Sequence, residues 1–257
     1  METKFTVDQK VVYPSQGVGI VTEVFEKKFK EEMKLYYKIY IEASDMIVMV
    51  PVDKAEDLGI RQIVTAEEAE QALEKLMSGN EKYLSGNITP NIDASLRTDL
   101  ATNGQNPYAI VITCSDSRVP AELIFDSSLG DIFVIRTAGN VVSDFEIGSV
   151  EYGAEHLGSP LVLVLGHTSC GAVTAATEGG EAGGKIQSIV DEITPSVQKA
   201  KNEGAEDVLS TAIEFNVMNS VNKILSSDII KELVEEEKVK IIGGVYDINT
   251  GIITIIE

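Results

Sequence analysis

The strongest constraint on this chain is a set of short, uninterrupted apolar runs in its second half. Ala109-Ile110-Val111-Ile112-Thr113 and Leu161-Val162-Leu163-Val164-Leu165 leave no polar face, and Asp131–Arg136 is nearly as apolar. A strand that alternates apolar and polar residues can face water on one side, but a strand without alternation must be covered on both. Stretches with helical periodicity lie between and after these runs, at Glu146–Leu157, Ile186–Ala200, Ala205–Leu225 and Ile229–Glu236. Two further strands, Lys240–Tyr246 and Gly251–Ile256, are joined by the turn Asp247-Ile248-Asn249-Thr250. Strands alternating with helices predict an α/β fold, a mainly parallel central sheet flanked by helices, closing on an antiparallel hairpin.

The first 64 residues have another character. Gln9–Tyr13, Val18–Phe25, Leu35–Ile41 and Met46–Val52 read as four strands, with a turn at Pro14-Ser15-Gln16-Gly17. The charged run Glu26–Glu32 reads as a hairpin tip and Asp53–Leu58 as a short helix stopped by Gly59. Residues 1–64 carry a net charge of -2, whereas the whole chain carries -20. At Thr65-Ala66-Glu67-Glu68 a capping box opens a helix that runs through Leu76, with a second to Tyr83, before a polar connection over Ser85–Asn103. The expected division is a small all-β module, 1–64, and an α/β domain, 65–257.

The acidity repels phosphate backbones, so no direct nucleic-acid binding is expected. The N-terminus has no apolar signal region and no apolar run is long enough to span a bilayer. The expected compartment is the cytoplasm, with no membrane contact.

Polar clusters of unusual composition follow two of the apolar runs. One is Cys114-Ser115-Asp116-Ser117-Arg118 and the other Gly166-His167-Thr168-Ser169-Cys170-Gly171. Ligands of open α/β sheets bind at the carboxyl ends of the strands. The chain has only two cysteines and two histidines, and both cysteines and one histidine fall in these clusters. Cys114, His167 and Cys170 can converge on one metal, and two thiolates with an imidazole suit Zn²⁺ with a fourth position open for water. The plainer reading is that both cysteines are small buried hydrophobes at strand ends. Asp116 and Arg118 are either a surface ion pair of little energetic value or a carboxylate held in place at the mouth of the metal site. His156, within a helical stretch, reads as structural.

These motifs, Cys114-x-Asp116-x-Arg118 and His167-x-x-Cys170-Gly171, resemble those of the β-carbonic anhydrases over residues 66–257. The resemblance implies reversible hydration of carbon dioxide to bicarbonate by zinc-bound hydroxide. It makes Cys114, His167 and Cys170 the Zn²⁺ ligands and Asp116 and Arg118 the catalytic pair, with Asp116 a fourth ligand in a closed state. It also implies that Gln105, Phe133, Tyr152 and Gly171 bind substrate, Gln105 from across the interface of a homodimer or higher homo-oligomer. Residues 4–63, through Val11-Val12-Tyr13-Pro14-Ser15-Gln16-Gly17-Val18-Gly19 and Met49-Val50-Pro51-Val52, resemble the RNA-polymerase-interacting domain of CarD-type regulators and transcription-repair coupling factors. That likeness implies a Tudor-like or SH3-like barrel and an RNA polymerase contact. The alternative function is a closed, structural zinc site in a protein that acts by binding a partner.

Two thiolates place more negative charge on a metal than three neutral imidazoles, so bound water ionises at higher pH. The hydration rate is therefore predicted to rise between pH 6 and 9, which stopped-flow measurement checks; a flat or falling profile contradicts the ligand set.

Overall fold

The computed structural model describes residues 3–13, 17–29, 32–55, 57–62 and 66–256. Residues 14–16 of the expected turn Pro14–Gly17, residues 30–31 of the expected hairpin tip Glu26–Glu32, the cap at Thr65 and the boundary around it lie outside the described residues.

The first module is a five-stranded antiparallel sheet of β1 (Lys10–Tyr13), β2 (Gly17–Phe29), β3 (Glu32–Ile41), β4 (Met46–Pro51) and β5 (Arg61–Gln62). Their order is β4-β3-β2-β1-β5, a half-barrel curled around Phe5, Val11, Val21, Tyr37, Ile39 and Ile60. A bulge between Val21 and Glu23 sharpens the bend of β2. Most of the charged run Glu26–Glu32 is strand rather than turn. Lys27 pairs with Lys34 and Phe29 with Glu32, so β2 and β3 extend as a two-stranded arm beyond the half-barrel. Such an arm is open to water on both faces, which is why it carries charge. The expected helix at Asp53–Leu58 is a shorter 3₁₀ turn, Val52–Lys54.

The second module begins with α1 (Ala66–Leu84), one helix where two were expected. Its buried face carries Ala69, Ala72, Leu76, Gly79 and Asn80, the spacing of one helical stripe. Gly79 lets it pass close to α3 (Ala121–Ile124): a Cβ there would lie 1.9 Å from the Phe125 carbonyl oxygen. Between them lies α2 (Ala94–Asn103), in a stretch read from the sequence as a connection.

The central sheet consists of β6 (Ala109–Cys114), β7 (Ile132–Thr137), β8 (Leu161–His167), β9 (Lys240–Tyr246) and β10 (Ile253–Ile256), ordered β10-β9-β8-β6-β7. The four strands β6 to β9 are parallel and β10 pairs antiparallel with β9. The unbroken apolar runs have the expected cause. Val111, Leu161 and Leu163 face one core with Leu76 and Phe125, while Ile110, Ile112, Val162 and Val164 face the other with Val217 and Val221. The remaining helices are α4 (Asp144–Glu151), α5 (Gly171–Glu178), α6 (Ile186–Asn202), α7 (Val208–Ile224) and α8 (Asp228–Glu235). A π-helical turn, Tyr152–His156, continues α4. No helix among the described residues is long and apolar enough to cross a membrane.

From β6 the chain goes to β7 on one side and to β8 on the other, so the strand order reverses between β6 and β8. That is the switch point at which a crevice opens beyond the strand ends. β6 ends at Cys114 and β8 at His167. The modules meet where Lys10 of β1 approaches Glu236 (3.9 Å). Beside this contact is a cleft of ≈ 230 Å³ whose lining includes Val18, Ile20, Glu155 and His156.

Because a Cβ on Gly79 meets backbone, Gly79→Ala must push α1 off α3 and is expected to cost about 3 kcal/mol. Gly148→Ala, where a Cβ meets nothing within 4 Å inside α4, is expected to be neutral or slightly stabilising. Urea unfolding midpoints compare the two; equal midpoints contradict the packing.

Candidate active site

The two polar clusters meet as anticipated. One donor atom each from Cys114, His167 and Cys170 lies within 4.8 Å of the others, and all three residues are buried. The cysteines are free thiols. His167 Nδ1 lies 2.9 Å from the Thr168 carbonyl oxygen. A carbonyl can only accept, so Nδ1 carries the proton and Nε2 presents its lone pair. Nε2 is buried and has no hydrogen-bond partner. Unpaired buried nitrogen costs free energy unless something else occupies its lone pair. Two thiols and an orphaned imidazole nitrogen, converging in a buried site with an oriented ring, fit a metal ion.

The backbone around the sulfurs favours anions. Cys114 Sγ accepts the N–H groups of Gly139 (3.3 Å) and Asp116 (3.4 Å). Cys170 is the N-cap of α5, with Gly171 its first residue, so its sulfur lies at the positive end of a helix. The two thiols shift each other in opposite directions. Cys170 above all, helped by the Gly139 and Asp116 backbone N–H groups, brings Cys114 down to about 4 against the effect of burial. Cys170 is pushed up, first by Cys114 and then by burial.

Asp116 is held as a fork. Arg118 Nε and Nη2 donate to its two carboxylate oxygens at 3.0 and 2.8 Å, and the Arg118 backbone N–H donates to Oδ1 at 2.9 Å. Arg118 Nη2 also reaches the Ser169 carbonyl (3.4 Å), tying the first cluster to the second. The arginine, above all other causes, holds the Asp116 carboxyl well below the usual carboxylate range.

The other residues singled out from sequence divide into two groups. Gly171 is exposed beside Cys170, with nothing within 4 Å of where a Cβ would be. Phe133 on β7 and Tyr152 stand with ring centroids 6.2 Å apart, and Tyr152 also lies tilted against His156 at 5.5 Å. Gln105 and Tyr152 share a cleft of ≈ 440 Å³ with Arg97, Leu100, Leu129 and Leu157. The lining of that cleft includes none of the three buried donors of the same chain.

Known proteins place this architecture. Residues 109–253 match the carbonic anhydrase family and residues 5–64 the CarD-like/TRCF RID domain. The chain is 39% identical over 189 residues to carbonic anhydrase 2 of Mycobacterium tuberculosis, covering 70% of this chain and 89% of that one. The chain belongs to the β-carbonic anhydrase family. A carbonic anhydrase of Mycolicibacterium smegmatis is 40% identical over 153 residues, 58% of this chain and 72% of that one. Among solved structures, a tetrameric β-carbonic anhydrase of Sordaria macrospora superposes with a TM-score of 0.58 at 27% identity, covering 64% of this chain and 87% of that one. The β-carbonic anhydrase CafA of Aspergillus fumigatus gives 0.59 at 26%, covering 63% and 81%. The chain is therefore an enzyme of the carbonic anhydrase class carrying a CarD-like domain at its N-terminus.

Some residues of this anhydrase site were not legible in the sequence. Arg136 at the end of β7 donates to the carbonyls of Cys114 (3.0 Å) and Asp116 (2.6 Å), fixing the turn that bears both. Thr168 donates its N–H to the Tyr246 carbonyl and accepts the Ile248 N–H, clamping the second cluster to the end of β9. Both act through backbone, and only an arginine closing an apolar run hints at the first.

A depressed carboxyl contributes stability above its ordinary pKa and loses that contribution as pH falls through the lowered value. Arg118→Ala removes the main cause. Its Asp116 is predicted to titrate higher, towards the ordinary carboxylate range, with the residue 118 backbone N–H still holding it somewhat down, as followed by carboxyl ¹³C shifts. An unchanged titration contradicts the fork.

Proposed function

We propose that the chain interconverts carbon dioxide and bicarbonate at a Zn²⁺ held by Cys114, His167 and Cys170. The observation that carries this reading is the buried, partnerless His167 Nε2 facing two thiols. When bound, Zn²⁺ supplies the Lewis acidity that lets coordinated water ionise towards pH ~7 instead of ~15.7.

The protein's own groups supply the rest. Asp116 stays ionised through the working range and accepts a hydrogen bond from the attacking oxygen, using the Oδ2 lone pair that Arg118 leaves free. Arg118 fixes the direction of that acceptor. The Gly171 N–H, unobstructed at the first turn of α5, donates to the substrate oxygen. Phe133 and Tyr152, beside the cleft that Gln105 also lines, supply an apolar wall that excludes water from the carbon in the site of a second copy. Gln105 shares a cleft with Tyr152 but not with the donors of its own chain, which supports a role in the site of a second copy; a homodimer or larger assembly follows from that role. The structural-zinc alternative needs a fourth protein ligand, and the bidentate hold of Arg118 on Asp116 disfavours it.

The proposed division of labour is residues 1–64 for partner binding and 65–257 for catalysis. Strand β4 has a free edge and exposes Met46, Ile47 and Met49, which supports contact with RNA polymerase by strand addition. Two free thiols fit a reducing compartment, the cytoplasm.

Stopped-flow carbon dioxide hydration paired with metal analysis tests the reading. The native chain is expected to hold one zinc and to be active. Cys170→Ser is expected to lose both. Asp116→Asn is expected to keep zinc and lose on the order of 10²-fold or more in rate. Full zinc occupancy in Cys170→Ser, or near-normal turnover in Asp116→Asn, contradicts it.

A further inference from the structure

Helix α7 carries polar residues in its buried face that the reaction does not use. Asn216 and Ser220, one turn apart, are both almost fully buried. Asn216 Nδ2 donates to the Gly139 carbonyl at 2.7 Å, and Ser220 Oγ donates to the Asn140 carbonyl at 2.9 Å. Neither touches the donor atoms. Both grip the short segment Ala138–Asn140 that follows β7.

That segment is unusual. Gly139 and Asn140 both have positive φ, 70° and 46°, and successive left-handed residues are costly for a side-chain-bearing residue such as Asn140. A Cβ on Gly139 would meet Ile193 at 2.8 Å and Ala172 at 3.0 Å, so α5 and α6 close over it. The result of this strained shape is one directed bond: Gly139 N–H points at Cys114 Sγ. The same helix presses on the other cluster. Val217, beside Asn216, fills the space a Cβ on Gly166 would occupy, at 2.5 Å, and Gly166 directly precedes His167.

The polar pair is expensive to keep. Asn216 Oδ1 and Asn140 Nδ2 are buried with no hydrogen-bond partner, a desolvation cost that offsets part of what the bond to the Gly139 carbonyl contributes. We propose that Asn216 and Ser220 are positioning residues for the metal donor Cys114: by holding the Gly139 and Asn140 carbonyls they fix the left-handed turn that aims an N–H at the sulfur, and so set how tightly the Cys-His-Cys site holds its ion. This rests on the reading of those three residues as a metal site. Outer-shell partners of this kind commonly carry 10–100-fold of metal affinity.

The test uses the full chain, Co²⁺ as probe, and two readouts independent of turnover: affinity by chelator competition, and the sulfur-to-cobalt charge-transfer band. Ser220→Ala and Asn216→Leu are expected to bind Co²⁺ about 10-fold more weakly and to shift the band to longer wavelength, because a sulfur without its N–H donor gives up charge more easily. Ser220→Thr, which keeps the hydroxyl, is expected to restore both. Asn80→Leu is the control: Asn80 is buried and donates to the Gly251 and Ile124 carbonyls away from the site. It is expected to lower the unfolding midpoint and leave affinity and band unchanged. If Asn216→Leu fails to fold, Ser220→Ala decides. Native affinity and an unmoved band in folded Ser220→Ala overturn the proposal while leaving the metal site standing. Failure of the native chain to take up Co²⁺ overturns the metal reading and the proposal with it.

Discussion

Everything in the catalytic half depends on two neighbouring parallel strands ending at the same level. Thr113 pairs with Leu165 in register, so Cys114, the last residue of β6, lies level with Gly166, and His167 ends β8 one residue further on. Donors separated by more than fifty residues in sequence thereby meet without a long loop to order, and ordering residues is the principal cost of folding. The strands can lie there only because both faces of the sheet are covered, by α1 and α3 on one side and by α4, α7 and α8 on the other. The glycines of β8 and β9 sharpen this dependence. Val217 approaches the sites of absent Cβ atoms on Gly166 and Gly243 to 2.5 and 2.8 Å, bringing α7 close to the strands that end at the site.

Charge is organised around the same point. Arg118 forks onto Asp116, Arg136 holds the carbonyls of Cys114 and Asp116, and backbone N–H groups point at Cys114. In a chain of net charge -20 these donors gather around the Cys114 sulfur, the Asp116 carboxylate and the carbonyls beside them. The CarD-like half-barrel contributes none of its described residues to this cluster. It touches the anhydrase half near the π-helical turn that bears Tyr152 and His156, with its free edge strand β4 outermost in its sheet.

What the sequence revealed and what it hid follow from where side chains act. The buried strands were legible because a strand with no polar face has few alternatives, and the donor triad because rare residues clustered at the strand ends. Helix α2 was missed because it buries no residue and so shows no periodic stripe. Helix α5 was missed because it opens on Gly171 directly after the second cluster, where the sequence reads as a turn. The charged arm of β2 and β3 read as a turn because strands wet on both faces lose their alternation. Arg136, Thr168, Asn216 and Ser220 work through backbone carbonyls and amides whose positions only the folded chain defines. Gln105 and Tyr152 were named from resemblance, and their shared cleft stands apart from the donors of their own chain.

The central claim is that Cys114, His167 and Cys170 together hold a zinc ion whose remaining position is open. X-ray absorption at the zinc edge of the full-length protein tests it most directly. The account predicts two sulfur neighbours at about 2.3 Å and two nitrogen or oxygen neighbours at about 2.0–2.1 Å. The nitrogen contribution should carry the outer-shell scattering of a single imidazole. A zinc surrounded only by oxygen, or one that keeps two sulfur neighbours after Cys114→Ser, would contradict it.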